Sequence, residues 1–149
     1  MPSVKTVDIQ LNYVEHGSGD NIVMFIHGYL SCVHWLDLIW PRLPRTIHVF
    51  AIDWRGCGDS DKPAATQNFA NYSMEQHAQD MLAAIKTLGI KKCSLAAHST
   101  GGVISIYMLL EEPKLFDKVL ALDPVGPTGL SLPEEALHSF PALKESRNF

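Results

Sequence analysis

Ser99 stands in the run Ala97-His98-Ser99-Thr100-Gly101-Gly102, between the apolar stretch Cys93–Ala97 and a helix-compatible one from about Gly101 to Glu111. A serine at the turn from a buried parallel strand into a helix has its Oγ thrust up at the carboxyl edge of the sheet. The backbone is cramped there, so the residues two before and two after must be small, as Ala97 and Gly101 are. The helix N-terminus behind the serine adds a positive dipole end, and the Thr100 N–H is available to a developing oxyanion. The chemistry this offers is nucleophilic attack by the serine hydroxyl on a group whose developing oxyanion these donors stabilise. Taken alone, small-x-Ser-x-small also describes simple strand-to-helix turns, so the surrounding sequence decides.

A second oxyanion donor belongs on the loop after an earlier strand. His27-Gly28-Tyr29 directly follows the apolar run Ile22–Ile26, which makes the Tyr29 N–H the candidate. His27 itself could be a general base, but its place at a strand end favours a structural residue that orders the loop. Between these motifs lies Asp53-Trp54-Arg55-Gly56-Cys57-Gly58-Asp59-Ser60-Asp61. Its glycines permit a tight turn, and Asp53 and Arg55 are expected to pair across it. A dinucleotide fingerprint fails here, because Asp61 stands where the third glycine belongs and a turn follows rather than a helix.

The elements needed to hold these residues are legible. Val4–Ile9 and Leu11–Glu15 read as short strands, and Gly17-Ser18-Gly19-Asp20 as a turn. Ile22–Ile26, Ile47–Ile52, Cys93–Ala97 and Val119–Leu122 are unbroken apolar runs, the pattern of strands buried on both faces. Ser73 and Gln76 form a capping box before a stripe of Met74, Ala78, Met81, Leu82 and Ile85, stopped by Gly89. Pro113 stops the helix after Ser99, and a shorter helix is expected from Val33 to Ile39, ended near Pro41. Strand and helix alternate, which predicts an α/β fold: a mostly parallel sheet with helices on both faces. From Pro124 the character changes to a loop and an amphipathic segment broken by Pro141. Residues 1–124 therefore read as core and 125–149 as the start of a lid.

Composition narrows the function classes. The 149 residues fit one domain, and the formal net charge of −4 with scattered Lys and Arg gives no footprint for nucleic acid or for a polybasic membrane anchor. No signal-peptide pattern or membrane-spanning run is present in the sequence. Cys32, Cys57 and Cys93 are isolated, as expected of reduced thiols in a cytoplasmic protein. Neither a cofactor nor a metal is expected.

In their order and spacing, His27-Gly28-Tyr29, Asp53–Ser60 and Ala97–Gly102 resemble the α/β-hydrolase fold family, over Val4 to Pro124. The resemblance implies Ser99 as nucleophile, with the Tyr29 and Thr100 backbone amides as oxyanion hole. A serine at 99 sets the chain apart from branches with an aspartate nucleophile, such as haloalkane dehalogenases and soluble epoxide hydrolases. Ala97 stands where many members carry glycine, and it is small enough to serve. The family order of nucleophile, acid and histidine implies a histidine after the last strand, but the only one after Ser99 is His138, in the lid-like stretch. His16, His27, His34, His48 and His77 precede the nucleophile, and His98 should point into the packing of the turn. The pattern thus implies a fold lacking its last strands and most of its lid, with Val119–Leu122 as an open edge. Such a chain is expected to be inactive alone. Asp123 ends the strand from which a subset of members takes its acid, while most members take it from one strand later; its other reading is a loop residue bonding backbone N–H groups before Pro124. The expected partners are a small acyl substrate and, at the open edge, a C-terminal part or a second copy. The implied substrate is a small ester, lactone or thioester. A C–C bond hydrolase, a perhydrolase and a non-catalytic ligand-binding module remain open alternatives.

Overall fold

The structure is a computed structural model that describes residues 2–126 and Thr128. The expected lid and His138 lie outside the described residues. Six strands form one mixed sheet: β1 (Ser3–Lys5), β2 (Gln10–His16), β3 (Asn21–Ile26), β4 (Ile47–Ile52), β5 (Cys93–His98) and β6 (Phe116–Leu122). Their order is β1-β2-β4-β3-β5-β6. β1 and β2 pair antiparallel, as do β2 and β4, while β3 runs parallel to both β4 and β5, and β5 parallel to β6. The chain therefore crosses over from the β4 side to the β5 side of β3, and loops diverge at the carboxyl ends of β3 and β5. Crevices form at such switch points in open α/β sheets.

The apolar runs of β3, β4 and β5 are buried on both faces, whereas Val119–Leu122 in β6, expected to be buried likewise, is exposed. Met24, Ile26, Phe50, Ile52, Leu95 and Ala97 face a core shared with α1 (Met74–Thr87) and α2 (Gly101–Glu111). Phe25, Val49 and Ala51 point the other way, against Val33 and Leu36. That second face differs from expectation. Val33–Leu36 and Trp40–Arg42 are two 3-10 turns rather than one helix, with i→i+3 bonds such as Ile39 N–H to the Leu36 carbonyl at 2.8 Å. Pro41 has no N–H to continue a ladder, and Cys32 supplies no side-chain cap. The first strand is also shorter than expected, since Thr6 N–H and Oγ1 both bond the Ile9 carbonyl and turn the chain.

Helix α1 carries half of its expected capping box. Ser73 Oγ accepts from Gln76 N–H at 3.1 Å, but the Gln76 side chain reaches Asp80 Oδ1 instead of the Ser73 amide. At the other end Gly89 N–H bonds the Lys86 carbonyl and Ile90 N–H the Ile85 carbonyl, a Schellman stop. Among the described residues β6 pairs only with β5, and Val119, Leu120 and Leu122 are exposed. No helix among the described residues is long and apolar enough to cross a membrane. Ser73→Ala removes the one side-chain cap of α1 and should lower unfolding stability by about 1 kcal/mol, read from a urea midpoint at unchanged slope.

Candidate active site

Ser99 follows β5 with a left-handed backbone, φ 52°, that L-residues adopt at a cost of roughly 1–3 kcal/mol. Three backbone hydrogen bonds enforce it. Ser99 N–H donates to the Leu122 carbonyl at 3.1 Å, and its own carbonyl accepts from Gly102 at 2.9 Å and Val125 at 3.1 Å. Gly101 lies hard against the end of β3: a Cβ there would sit 2.4 Å from the Ile26 carbonyl oxygen and 2.8 Å from that of His27. Ala97 is fully buried in the core below. The strand-to-helix turn thus has the small neighbours it requires, and Ser99 stays partly exposed at the carboxyl edge of the sheet.

The loop after β3 closes on this turn. A Cβ on Gly28 would come within 3.0 Å of Ser99 Cβ and 3.1 Å of His98 Nδ1, so the loop's backbone passes directly over the serine. Among the described residues neither the Tyr29 nor the Thr100 backbone N–H donates a hydrogen bond. Thr100 is the N-cap of α2, where first-turn donors are unpaired by geometry. Asp123 ends β6 with φ 44°, a second left-handed residue at the end of the neighbouring strand. It is exposed, and its neighbours Leu122 and Val125 hold Ser99 on either side.

Asp53 does not pair with Arg55. Its buried carboxylate accepts from Asn12 Nδ2 (2.7 Å), Val33 N–H (2.7 Å) and Asp59 N–H (3.0 Å), tying β2, the first 3-10 turn and the glycine loop to the end of β4. Gly58 makes this compact, because any Cβ there would overlap the Asp53 carboxylate. Arg55 turns away to α1 and holds Asp80 through two bonds of 2.7 and 2.9 Å, with both side chains buried. A carboxylate already satisfied by three donors has little to offer a guanidinium, whereas Asp80 on the buried face of α1 has no other cation. A signal was available: Asp80 falls on the same helical stripe as Met81 and Ala84, and a buried acid asks for a cation.

His27 is fully buried and fixes the loop. Its Nδ1 lies 2.8 Å from both Trp54 Nε1 and the Gly28 carbonyl. One nitrogen cannot serve both; accepting from the indole puts the ring proton on Nε2, which faces Asp53 Oδ1 at 3.7 Å, beyond hydrogen-bond reach. Burial pushes the His27 pKa down to about 4 despite the Gly28 carbonyl and Asp53, and burial does the same to His77 against Asp80. His98 stacks on Trp35 with ring centroids 4.6 Å apart. His34 pairs with Asp37, His48 with Glu15, and His16 stacks on Trp40. No described histidine is thus presented to Ser99 as a free base. Among the described residues no group of three or more His, Cys, Asp or Glu could hold a metal ion.

The family model described as alpha/beta hydrolase fold matches residues 21–146. The chain belongs to the alpha/beta hydrolase fold family. Among relatives, the fluoroacetate dehalogenase of a Burkholderia species is 34% identical over 77% of this chain and 36% of its own length. The 2-(acetamidomethylene)succinate hydrolase of Mesorhizobium japonicum is 33% identical over 77% of this chain and 39% of its own. A solved structure described as Est816, an N-acyl homoserine lactone degrading enzyme, superposes with a TM-score of 0.80 at 29% identity, covering 94% of this chain and 52% of that one. The chain thus spans well under half the length of these two curated relatives.

Two outcomes check this α/β-hydrolase site. Ser99→Gly removes the left-handed strain and should leave the protein at least as stable as the parent, whereas Gly101→Ala, driven into the Ile26 carbonyl, should cost about 1–3 kcal/mol by thermal or urea unfolding. The second concerns pH. Folded His27 and His77 titrate near 4 and unfolded histidine near 6.5, so the unfolded chain binds more protons between those values. Their contribution is complete above pH 6.5 and is lost as pH falls towards 4. The urea midpoint should therefore drop between pH 7 and pH 5, above most carboxylate titrations, and His77→Phe should flatten that slope.

Proposed function

We propose that the chain is the nucleophile-bearing part of a serine hydrolase acting on a small ester, lactone or thioester through an acyl-enzyme. The observation that carries this is Ser99, held in a left-handed turn under the loop after β3, with the Tyr29 and Thr100 backbone amides donating no hydrogen bond among the described residues. These amides are the oxyanion donors, and Asp123 is the acid that orients a histidine. That histidine comes from outside the described residues.

The relatives' names divide between dehalogenase, hydrolase and lactone-degrading enzyme, and the residue type at 99 chooses among them. Displacement of a halide by an alcohol would leave an ether, which water does not cleave under these conditions, and the enzyme would be consumed. Attack on a carbonyl leaves an ester, which water hydrolyses to regenerate the serine. The lactone-degrading structure is the similarity that this chemistry favours.

In the intact protein a fluorophosphonate should label Ser99, and Ser99→Ala should abolish labelling and lower kcat for p-nitrophenyl acetate and an N-acyl homoserine lactone by about 10³-fold or more. Asp123→Asn should lower kcat by about 10⁴-fold if it orients the histidine. Turnover of these substrates undiminished in Ser99→Ala would overturn the reading.

A further inference from the structure

A cleft of about 490 Å³ opens beside the candidate site, between the loop after β3, the glycine loop after β4 and the start of α1. Ser99 does not line it, but Tyr29 does, so the cleft shares with the serine the loop that carries one candidate oxyanion donor. Its volume lies in the range of small-molecule sites.

The lining defines what fits. Trp54 meets His77 edge to face with centroids 4.6 Å apart, and Tyr72 meets His77 at 6.2 Å. With Tyr29, four rings border one space, joined by Met74 and Cys57. Tyr72 is fixed in place: its hydroxyl donates to the Pro63 carbonyl at 2.7 Å, and its ring lies against Gly56. The walls are therefore preformed. Among the described residues the only charged side chain on the lining is Arg55, and Asp80 already holds its guanidinium through two bonds. His77 is 2% exposed, uncharged near neutral pH, and its Nδ1 has no partner among the described residues. Such a lining attracts no ion; it rewards a planar apolar group through ring contacts.

We infer that this cleft holds an aryl arm of the substrate. The assignment rests on the Ser99 reading, and Tyr29, which borders the cleft and carries one candidate oxyanion amide, is the residue the two share. The ligand class is an uncharged ester or lactone bearing a phenyl-like group.

Binding and turnover test it separately. In intact Ser99→Ala protein, phenol titrated as probe should shift the His77 imidazole NMR signals saturably. Ser31 and Cys57 both line the cleft, and Ser31→Trp and Cys57→Phe, two independent fillings, should each abolish that shift. In the intact active protein, ethyl 3-phenylpropanoate should show a KM at least about tenfold below that of ethyl acetate. Either filling should bring the KM values of the two esters together. The two esters release the same alcohol, so leaving-group reactivity does not enter. Absence of a phenol shift, or an aryl preference that survives both fillings, overturns the cleft assignment. Absence of all ester turnover with a cleft-dependent phenol shift overturns the Ser99 reading instead.

Discussion

The approach of Gly101 to the carbonyls of Ile26 and His27 is the constraint on which the candidate site turns. Helix α2 can start there only because no Cβ intervenes, and its start forces Ser99 into the left-handed region. Strand pairing fixes the height of that turn: Ile26 is paired with Ala97, so the loops leaving β3 and β5 emerge side by side. Gly28 then passes over Ser99, with Tyr29 next along that loop and Thr100 next after the serine, their amides unbonded among the described residues. The strain in one residue is sustained by the packing of a whole sheet edge. A turn held only by its own hydrogen bonds would relax it.

A second buried set supports the opposite side of the site. Asp53 joins β2, the first 3-10 turn and the glycine loop, while Arg55 and Asp80 bind that loop to α1. Charges buried in this way cost desolvation, and they are tolerated because each is matched by several donors or by a bidentate partner. Their structural yield is position rather than net stability. Breaking either one leaves a buried charge uncompensated, so the loops cannot drift far without a penalty. His27, neutral and held by Trp54, does the same for the loop after β3 without adding a charge.

Much of this was legible in the sequence because its causes are local or periodic. The unbroken apolar runs located β3, β4 and β5, and α2 spans the expected residues from Gly101 to Glu111 because Pro113 and the glycine pair bound it. The errors have both long-range and local causes. Arg55 and Asp53 are two residues apart, and proximity in sequence predicted a pair. The fold instead offers Asp53 three donors from other segments and gives Arg55 to a carboxylate on α1. Gln76 misses the capping box for a local reason, drawn to Asp80 one turn along the same helix. The 3-10 turns replace a helix because apolar spacing alone did not weigh the missing cap and Pro41. The aromatic cleft was invisible: its rings come from the loop after β3, two separate points of the β4–α1 connection and α1 itself, and no spacing links them.

The electrostatics of the site follow from these placements. Arg55, Asp80 and Asp53 are sequestered in their own bonds, and His27 and His77 are neutral, so few formal charges act near Ser99. What remains is the field of backbone dipoles at the start of α2 and the exposed carboxylate of Asp123. The dipoles stabilise an oxyanion, but a carboxylate alone beside one would oppose it. In the proposed mechanism Asp123 would help only with an imidazolium between it and the serine, where its charge would favour the protonated ring formed as Ser99 attacks. Under that proposal the carboxylate is a cost without a histidine and an orienter with one, so the electrostatics ask for the proposed histidine as much as proton transfer does.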